Sequence, residues 1–236
     1  MIKQKLKFII LLTFVSVMGW SQTDINQLDT DGNRHGTWRK NFDGTDQIRY
    51  EGQFEHGKEV GQFKFYQMVG KKSKLAATKD FNHDNDLTQV TFYTLKGMVM
   101  SKGKMRGKTY VGEWLYYHKN SKVLMTKEIY NDEGQLNGLK KVFYENGQLA
   151  EETPYRNGKI HGEVNYYSED GVLVKTYNYE NDQLHGPSKH FNRAGAVTVE
   201  GSYKRNKKTG IWKYYANGEL VDQKDFTYIP KYKKKQ

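Results

Sequence analysis

The sequence predicts an all-β repeat protein, an elongated single-layer antiparallel β-meander of about eight hairpins. Three observations carry that prediction. Phe42, Tyr66, Tyr93, Tyr117, Tyr144, Tyr167, Phe191 and Tyr215 lie 24, 27, 24, 27, 23, 24 and 24 residues apart, a spacing typical of repeat arrays. A second aromatic-rich ladder, Phe54, Phe81, Met105, Tyr130, Tyr155, Tyr179, Tyr203 and Phe226, recurs every 23 to 27 residues. Gly36, Gly61, Gly112, Gly138, Gly162, Gly186 and Gly210 follow nearly the same rhythm, as expected where each unit needs a backbone conformation that a side chain would block.

The chain opens with a segment that has the layout of a signal peptide over residues 1–21. Lys3, Lys5 and Lys7 give a basic start, Phe8 to Met18 form an apolar run, and Gly19-Trp20-Ser21 place small residues three before and one before a cut ahead of Gln22. The 11-residue run is short for a membrane-spanning helix, which needs about 20 residues; an uncleaved N-terminal anchor is the alternative. Export to the periplasm or the exterior is therefore expected. The chain has no cysteine, so it has neither a disulfide framework nor the residue a lipoprotein acylates.

Residues 22–30 read as a linker, 31–228 as the repeat array and 229–236 as a basic tail containing Lys231, Lys233, Lys234 and Lys235. Without the three leader lysines the chain keeps 35 basic against 27 acidic residues, a net charge of +8. That excess favours acidic partners. For an exported chain these are an acidic protein, an anionic glycan or a membrane surface, and not nucleic acid; a tail that only aids solubility is the plainer reading of the lysines.

Within the array, Asn146-Gly147, Asn157-Gly158 and Asn217-Gly218 interrupt short aromatic and β-branched runs. Such pairs tolerate positive φ and mark tight hairpins. The first unit shows one extra residue between Trp38 and Phe42, which predicts a bulge or altered register. The third, around Asn82 to Val90, lacks the recurrent glycine and is the most degraded copy.

Strand alternation separates the two neighbouring aromatics of each unit. One face collects Phe63, Phe65, Phe92, Trp114, Tyr116, Phe143, Tyr166, Trp212 and Tyr214 and reads as the better packed. The other collects Tyr66, Tyr93, Leu115, Tyr117, Tyr144, Tyr167, Phe191 and Tyr215, interleaved with Lys64, Lys189 and Lys213. It reads as wetter, because tyrosine joins an apolar ring to a polar tip.

Chemistry-bearing motifs are weak. His35, His161 and His185 each precede a recurrent glycine, which places them on separate hairpins too far apart to share a metal ion. His56, His83, His118 and His190 have no metal-ligand spacing. Asp29, Asp31 and Asn33, like Asn82, Asp84 and Asp86, alternate as in a calcium loop but lack its glycine and glutamate. No nucleophile–base order, phosphate-binding loop or paired carboxylates emerge. Neither an enzyme, a cofactor nor a metal site is expected.

The run Asn157-Gly158-Lys159-Ile160-His161-Gly162, followed by Tyr166-Tyr167, Gly171, Leu173 and Tyr179, resembles the variant MORN repeat of bacterial proteins; the pattern recurs over Asn206 to Phe226. The resemblance implies an extended antiparallel sheet serving as scaffold or binding module. Through the YwqK-type antitoxin-like members it also implies a protein partner. The functional expectation is a protein-binding scaffold, with a glycan- or anionic-lipid-binding module as the alternative. The expected contact residues are Tyr117, Tyr144, Tyr167, Lys189, Phe191, Lys213 and Tyr215.

Overall fold

The computed structural model describes residues 24–227; the expected leader and basic tail lie outside them. All regular elements are strands. They begin with β1 (Gln27–Leu28), β2 (Arg34–Asn41), β3 (Ile48–Glu55), β4 (Lys58–Val69), β5 (Lys72–Phe81) and β6 (Leu87–Tyr93). There follow β7 (Val99–Arg106), β8 (Thr109–Tyr117), β9 (Leu124–Tyr130), β10 (Gly138–Phe143), β11 (Leu149–Arg156) and β12 (Lys159–Ile160). The last are β13 (Gly162–Tyr167), β14 (Leu173–Glu180), β15 (Gln183–Phe191), β16 (Val197–Lys204), β17 (Lys207–Ala216) and β18 (Glu219–Asp225). They form one 18-stranded open antiparallel sheet in which neighbours in sequence are neighbours in space. The described residues contain no helix long and apolar enough to cross a membrane.

Local chemistry fixes the repeat. Five of the tight turns place two successive residues at positive φ: His56-Gly57, Asn157-Gly158, Asn181-Asp182, Arg205-Asn206 and Asn217-Gly218. This is the type I′ geometry whose twist matches that of the strands. Inside every hairpin the register slips by one residue near the end of the first strand, in most of them at an aromatic pair, as between Tyr116/Tyr117, Tyr166/Tyr167 and Tyr214/Tyr215. The residue squeezed out lies on the second strand, and where it is large and apolar it is exposed: Met100, Met125, Val174 and Val221.

Between hairpins a second irregularity recurs, and it explains the glycines. Glu51 pairs with Lys64 but Gln53 with Val60, so Gly52 faces three residues of β4; the same offset separates β7 from β8 and β16 from β17. Gly61, Gly112 and Gly210 absorb it at φ of 63°, 65° and 65°, where an L side chain is strained. The third unit confirms the cause. Thr88 stands where the glycine would be, β5 and β6 pair without any offset, and a longer loop over 82–86 makes the connection.

Two expectations need correction. The first unit has no extra residue: Asn41 takes the register position of Tyr66, and its slip at Lys40/Asn41 is that of the other hairpins. Phe42 instead starts the turn, its N–H donating to Gln47 O. Tyr144 is displaced in the same way. Phe143, not Tyr144, pairs with Leu149 as Tyr167 pairs with Leu173. Adjacent aromatics let a count along the chain slide by one residue, which reverses the face.

The stretch expected as a linker also contributes structure. Gln27–Leu28 pairs with β2, Asn26 Oδ1 accepts the Arg39 N–H at 2.8 Å and Gln27 O accepts the Trp38 indole N–H at 3.1 Å. It closes the first hairpin as a preceding unit would, and so caps the array.

The core lies on the tryptophan face. Trp114, Trp212, Phe63, Val90 and Val164 are at most 1% exposed. A single layer reaches such burial because Gly52, Gly103 and Gly201 sit beneath Phe63, Trp114 and Trp212, where a Cβ would overlap the rings. Each indole lies flat and donates to the next carbonyl, Trp114 to Lys104 O at 2.9 Å and Trp212 to Ser202 O at 3.1 Å. Neighbouring rings close the sides, with Tyr110 stacked on Trp114 at 3.8 Å and Tyr203 edge-on to Trp212 at 5.0 Å.

Candidate functional site

The register assembles the opposite face into a continuous row. Residues paired across successive strands point to the same side of a sheet. Following the pairs gives Arg39, Glu51, Lys64, Thr78, Thr91, Lys102, Leu115, Lys127, Lys141, Glu152, Asn165, Thr176, Lys189, Glu200, Lys213 and Gln223. Seven of these are basic and three acidic, so the row is a basic stripe crossing the sheet. Lys102, Lys127 and Lys141 follow one another with only Leu115 between them.

The tyrosine ladder runs beside this row and is tied to it. Tyr66 Oη donates to Glu51 at 2.7 Å, Tyr167 to Glu152 at 3.1 Å and Tyr215 to Glu200 at 2.8 Å, while Tyr93 Oη lies 3.3 Å from Thr78 Oγ1. In all four the partners are 15 residues apart. The ladder residue is phenylalanine at Phe143 and Phe191, whose corresponding neighbours in the row are Lys127 and Thr176. A lysine completes each glutamate unit: Lys64 is 3.8 Å from Glu51, Lys141 2.8 Å from Glu152 and Lys213 3.8 Å from Glu200.

These contacts shift the titration of the phenols and of Glu51. Burial, and then the bond to Glu51, pushes the Tyr66 hydroxyl up to about 12. Burial raises Tyr167, with Glu152 adding to it, and the hydrogen bond to Glu200 raises Tyr215. The Tyr66 hydroxyl chiefly holds Glu51 below the usual carboxylate range. Each unit thus joins a phenol, a carboxylate and a lysine ammonium group within one small patch. The same unit recurs along the sheet, and its chemistry suits the docking of anionic groups against a ring.

The expected contact residues fall into two groups. Lys189, Lys213, Tyr117, Tyr167, Phe191 and Tyr215 lie along this face; Lys189 is exposed and the four rings are half-buried. Two of them, Tyr167 and Tyr215, have their hydroxyls committed to the sheet itself, which leaves ring faces for a partner. Tyr144 stands apart in the turn, where its Oη donates to Tyr167 O at 2.7 Å. His118 bonds Phe143 O at 2.9 Å from the matching position, so both residues staple one hairpin to the next. Tyr117 borders a depression of about 510 Å³ lined also by Met98, Val99 and Lys122.

Sequence reasoning missed Glu51, Glu152 and Glu200, and with them the basic row. Their signal was available as a glutamate 15 residues before a ladder tyrosine. Met100, Met125, Val174 and Val221 had no comparable signal, because only the slip of register exposes them.

Comparison with known proteins supports the repeat reading. Residues 136–157 and 160–181 match the family model of the MORN repeat variant, each span covering one hairpin. No curated protein matches the chain. Among solved structures, it is similar to the crystal structure of a protein with unknown function from Bacteroides fragilis NCTC 9343. The two are 9% identical, with 73% of this chain and 95% of that chain covered at a TM-score of 0.18, too distant to bear on function. Two consecutive hairpins of the eight in the described array thus match the MORN repeat variant.

Proposed function

We propose that the chain is an exported, non-catalytic scaffold that binds an acidic protein partner along its tyrosine and lysine face. The observation that carries this reading is the row of seven basic and three acidic residues lined by aromatic rings. Repeated like groups give a series of weak sites whose combined affinity builds by multivalency. The basic start and apolar run of residues 1–21 support export, and a partner at the cell envelope accords with it better than a cytoplasmic toxin does. The test is capture from envelope extract on the intact chain and on a Lys189→Glu, Lys213→Glu variant. A protein retained by the first and lost from the second is expected. Identical capture by both, or none above an unrelated β protein, would contradict the reading.

A second reading, binding of a surface glycan or anionic lipid, draws on one feature, the mixed apolar and basic depression at Met98, Val99, Tyr117 and Lys122. Salt-sensitive retention on purified envelope polysaccharide or on anionic liposomes would favour it over a protein partner.

A further inference from the structure

Three side chains that are well separated in sequence meet at the N-terminal corner of the sheet. Asp29 follows β1, His35 lies in β2 and His56 occupies the turn between β3 and β4. One potential ligand atom from each lies within 4.8 Å of the other two. We propose that Asp29, His35 and His56 form a three-ligand site for a divalent transition cation, with zinc the expected occupant.

The carboxylate is already aimed. The Asp29 side chain is only 8% exposed, and its Oδ1 accepts the N–H groups of Asp31 at 3.0 Å and Asn33 at 2.8 Å. Those bonds fix the side chain and leave Oδ2 for a ligand. They also dispose of a calcium loop over Asp29, Asp31 and Asn33, since the one buried carboxylate faces amide donors. Oδ2 lies 2.8 Å from His56 Nδ1. A tetrahedral zinc with bonds of about 2.0–2.1 Å separates its ligand atoms by roughly 3.3 Å. Opening this pair by about half an ångström, with His35 closing the third side, therefore accommodates the ion. The two imidazole rings are 5.1 Å apart and tilted by 48°, so they neither stack nor block one another.

The surroundings are permissive. Arg34, the nearest cation in sequence, lies on the other side of the sheet, with its guanidinium 4.8 Å over the Trp38 ring and 5.1 Å over Phe54. His56 stands at φ 46° in a turn position that other hairpins fill with Asn157, Asn181 or Asn217, where asparagine is at ease. Two imidazoles and one carboxylate favour zinc, copper(II) or nickel(II) over the hard cations. Three protein ligands leave the fourth position to water, the arrangement of an open site. A bound ion would tie the capping segment to the first hairpin turn, and so stabilise the N-terminal end of the described array.

The untagged chain, titrated calorimetrically with Zn²⁺, tests this. One saturable equivalent is expected, weakened at least about tenfold by His35→Ala and by His56→Asn, and unchanged by His185→Ala. Asparagine suits the turn, so His56→Asn removes a ligand while keeping the fold, which unchanged aromatic circular dichroism would verify. Histidine NMR resonances should shift with Zn²⁺ at His35 and His56 alone. Absence of saturable binding, binding that survives His56→Asn undiminished, or binding lost through His185→Ala would each overturn the assignment.

Discussion

Trp212 and Tyr215 lie three residues apart on one strand, yet the tryptophan is 1% exposed and the tyrosine half-exposed. The contrast holds between Trp114 and Tyr117. What differs is the residue opposite. Gly103 and Gly201 let an indole lie flat on the neighbouring backbone and cover it. Glu200 instead holds the Tyr215 phenol by its hydroxyl beside Lys213, as Glu152 holds Tyr167 beside Lys141, while the row residue next to Tyr117 is Lys102. In a sheet without a second layer, burial is thus created by the cross-strand partner as much as by the ring, and the two faces differ accordingly: one packs into the core and the other keeps its rings half-exposed beside lysines.

The largest effect expected from breaking this contrast is on the tryptophan side. Trp114→Ala or Trp212→Ala should cost about 3–5 kcal/mol, the range for deleting a buried aromatic, measured by denaturant unfolding. Gly201→Ala should cost about 1–3 kcal/mol, as overpacking does, because the new methyl group overlaps the Trp212 indole. Gly162→Val falls in a similar range for a different reason. Its φ of 121° and the Pro154 side chain 3.0 Å from a Cβ leave valine no relaxed conformation.

Smaller effects belong to the tyrosine side. Tyr167→Phe should lose about 1 kcal/mol, the net worth of one hydrogen bond, Tyr215→Phe less than Tyr167→Phe, and Lys213→Ala no more than about 0.5 kcal/mol. Thermal melts that ranked Lys213→Ala with Gly201→Ala would erase the distinction between the faces.

Alkaline pH probes both faces. Tyr66 on one and Tyr116 and Tyr166 on the other are each pushed up to about 12, in every case chiefly by burial. Their folded values exceed the ordinary 10.0, so the folded state holds protons that the unfolded chain has released. The stability they contribute is intact below pH 10 and is lost as pH rises toward 12. Unfolding free energy measured across that interval should fall, and Tyr66→Phe should make the fall shallower.

Much of this was legible in the sequence, and the failures have physical causes. The fold class, the hairpin count and the packed face followed from spacing and strand alternation, because burial on one side pins the register. Phe42 and Tyr144 were assigned to the ladder because Asn41 and Phe143, one residue earlier, hold the true positions; the slip at each aromatic pair is invisible without the pairing. The glycines were recognised as turn residues, but their link to the offset between hairpins showed only through Thr88, where glycine and offset are absent together. For the tyrosine and lysine face, the rings and the lysines Lys189 and Lys213 were legible as residues sharing one side of the sheet. The glutamates that hold the tyrosines were not, since they lie on the preceding hairpin. The meeting of Asp29, His35 and His56 depends on a turn and a capping strand that no spacing rule describes.

The most direct test of the division between faces compares two double variants, Tyr167→Ala with Tyr215→Ala and Trp114→Ala with Trp212→Ala, for melting temperature and for retention of the proposed envelope partner. The tyrosine pair should weaken retention while the chain still melts cooperatively as a β-sheet, and the tryptophan pair should lower the melting temperature far more. A tyrosine pair that unfolds the chain, beside a tryptophan pair that stays folded and loses only the partner, would contradict it.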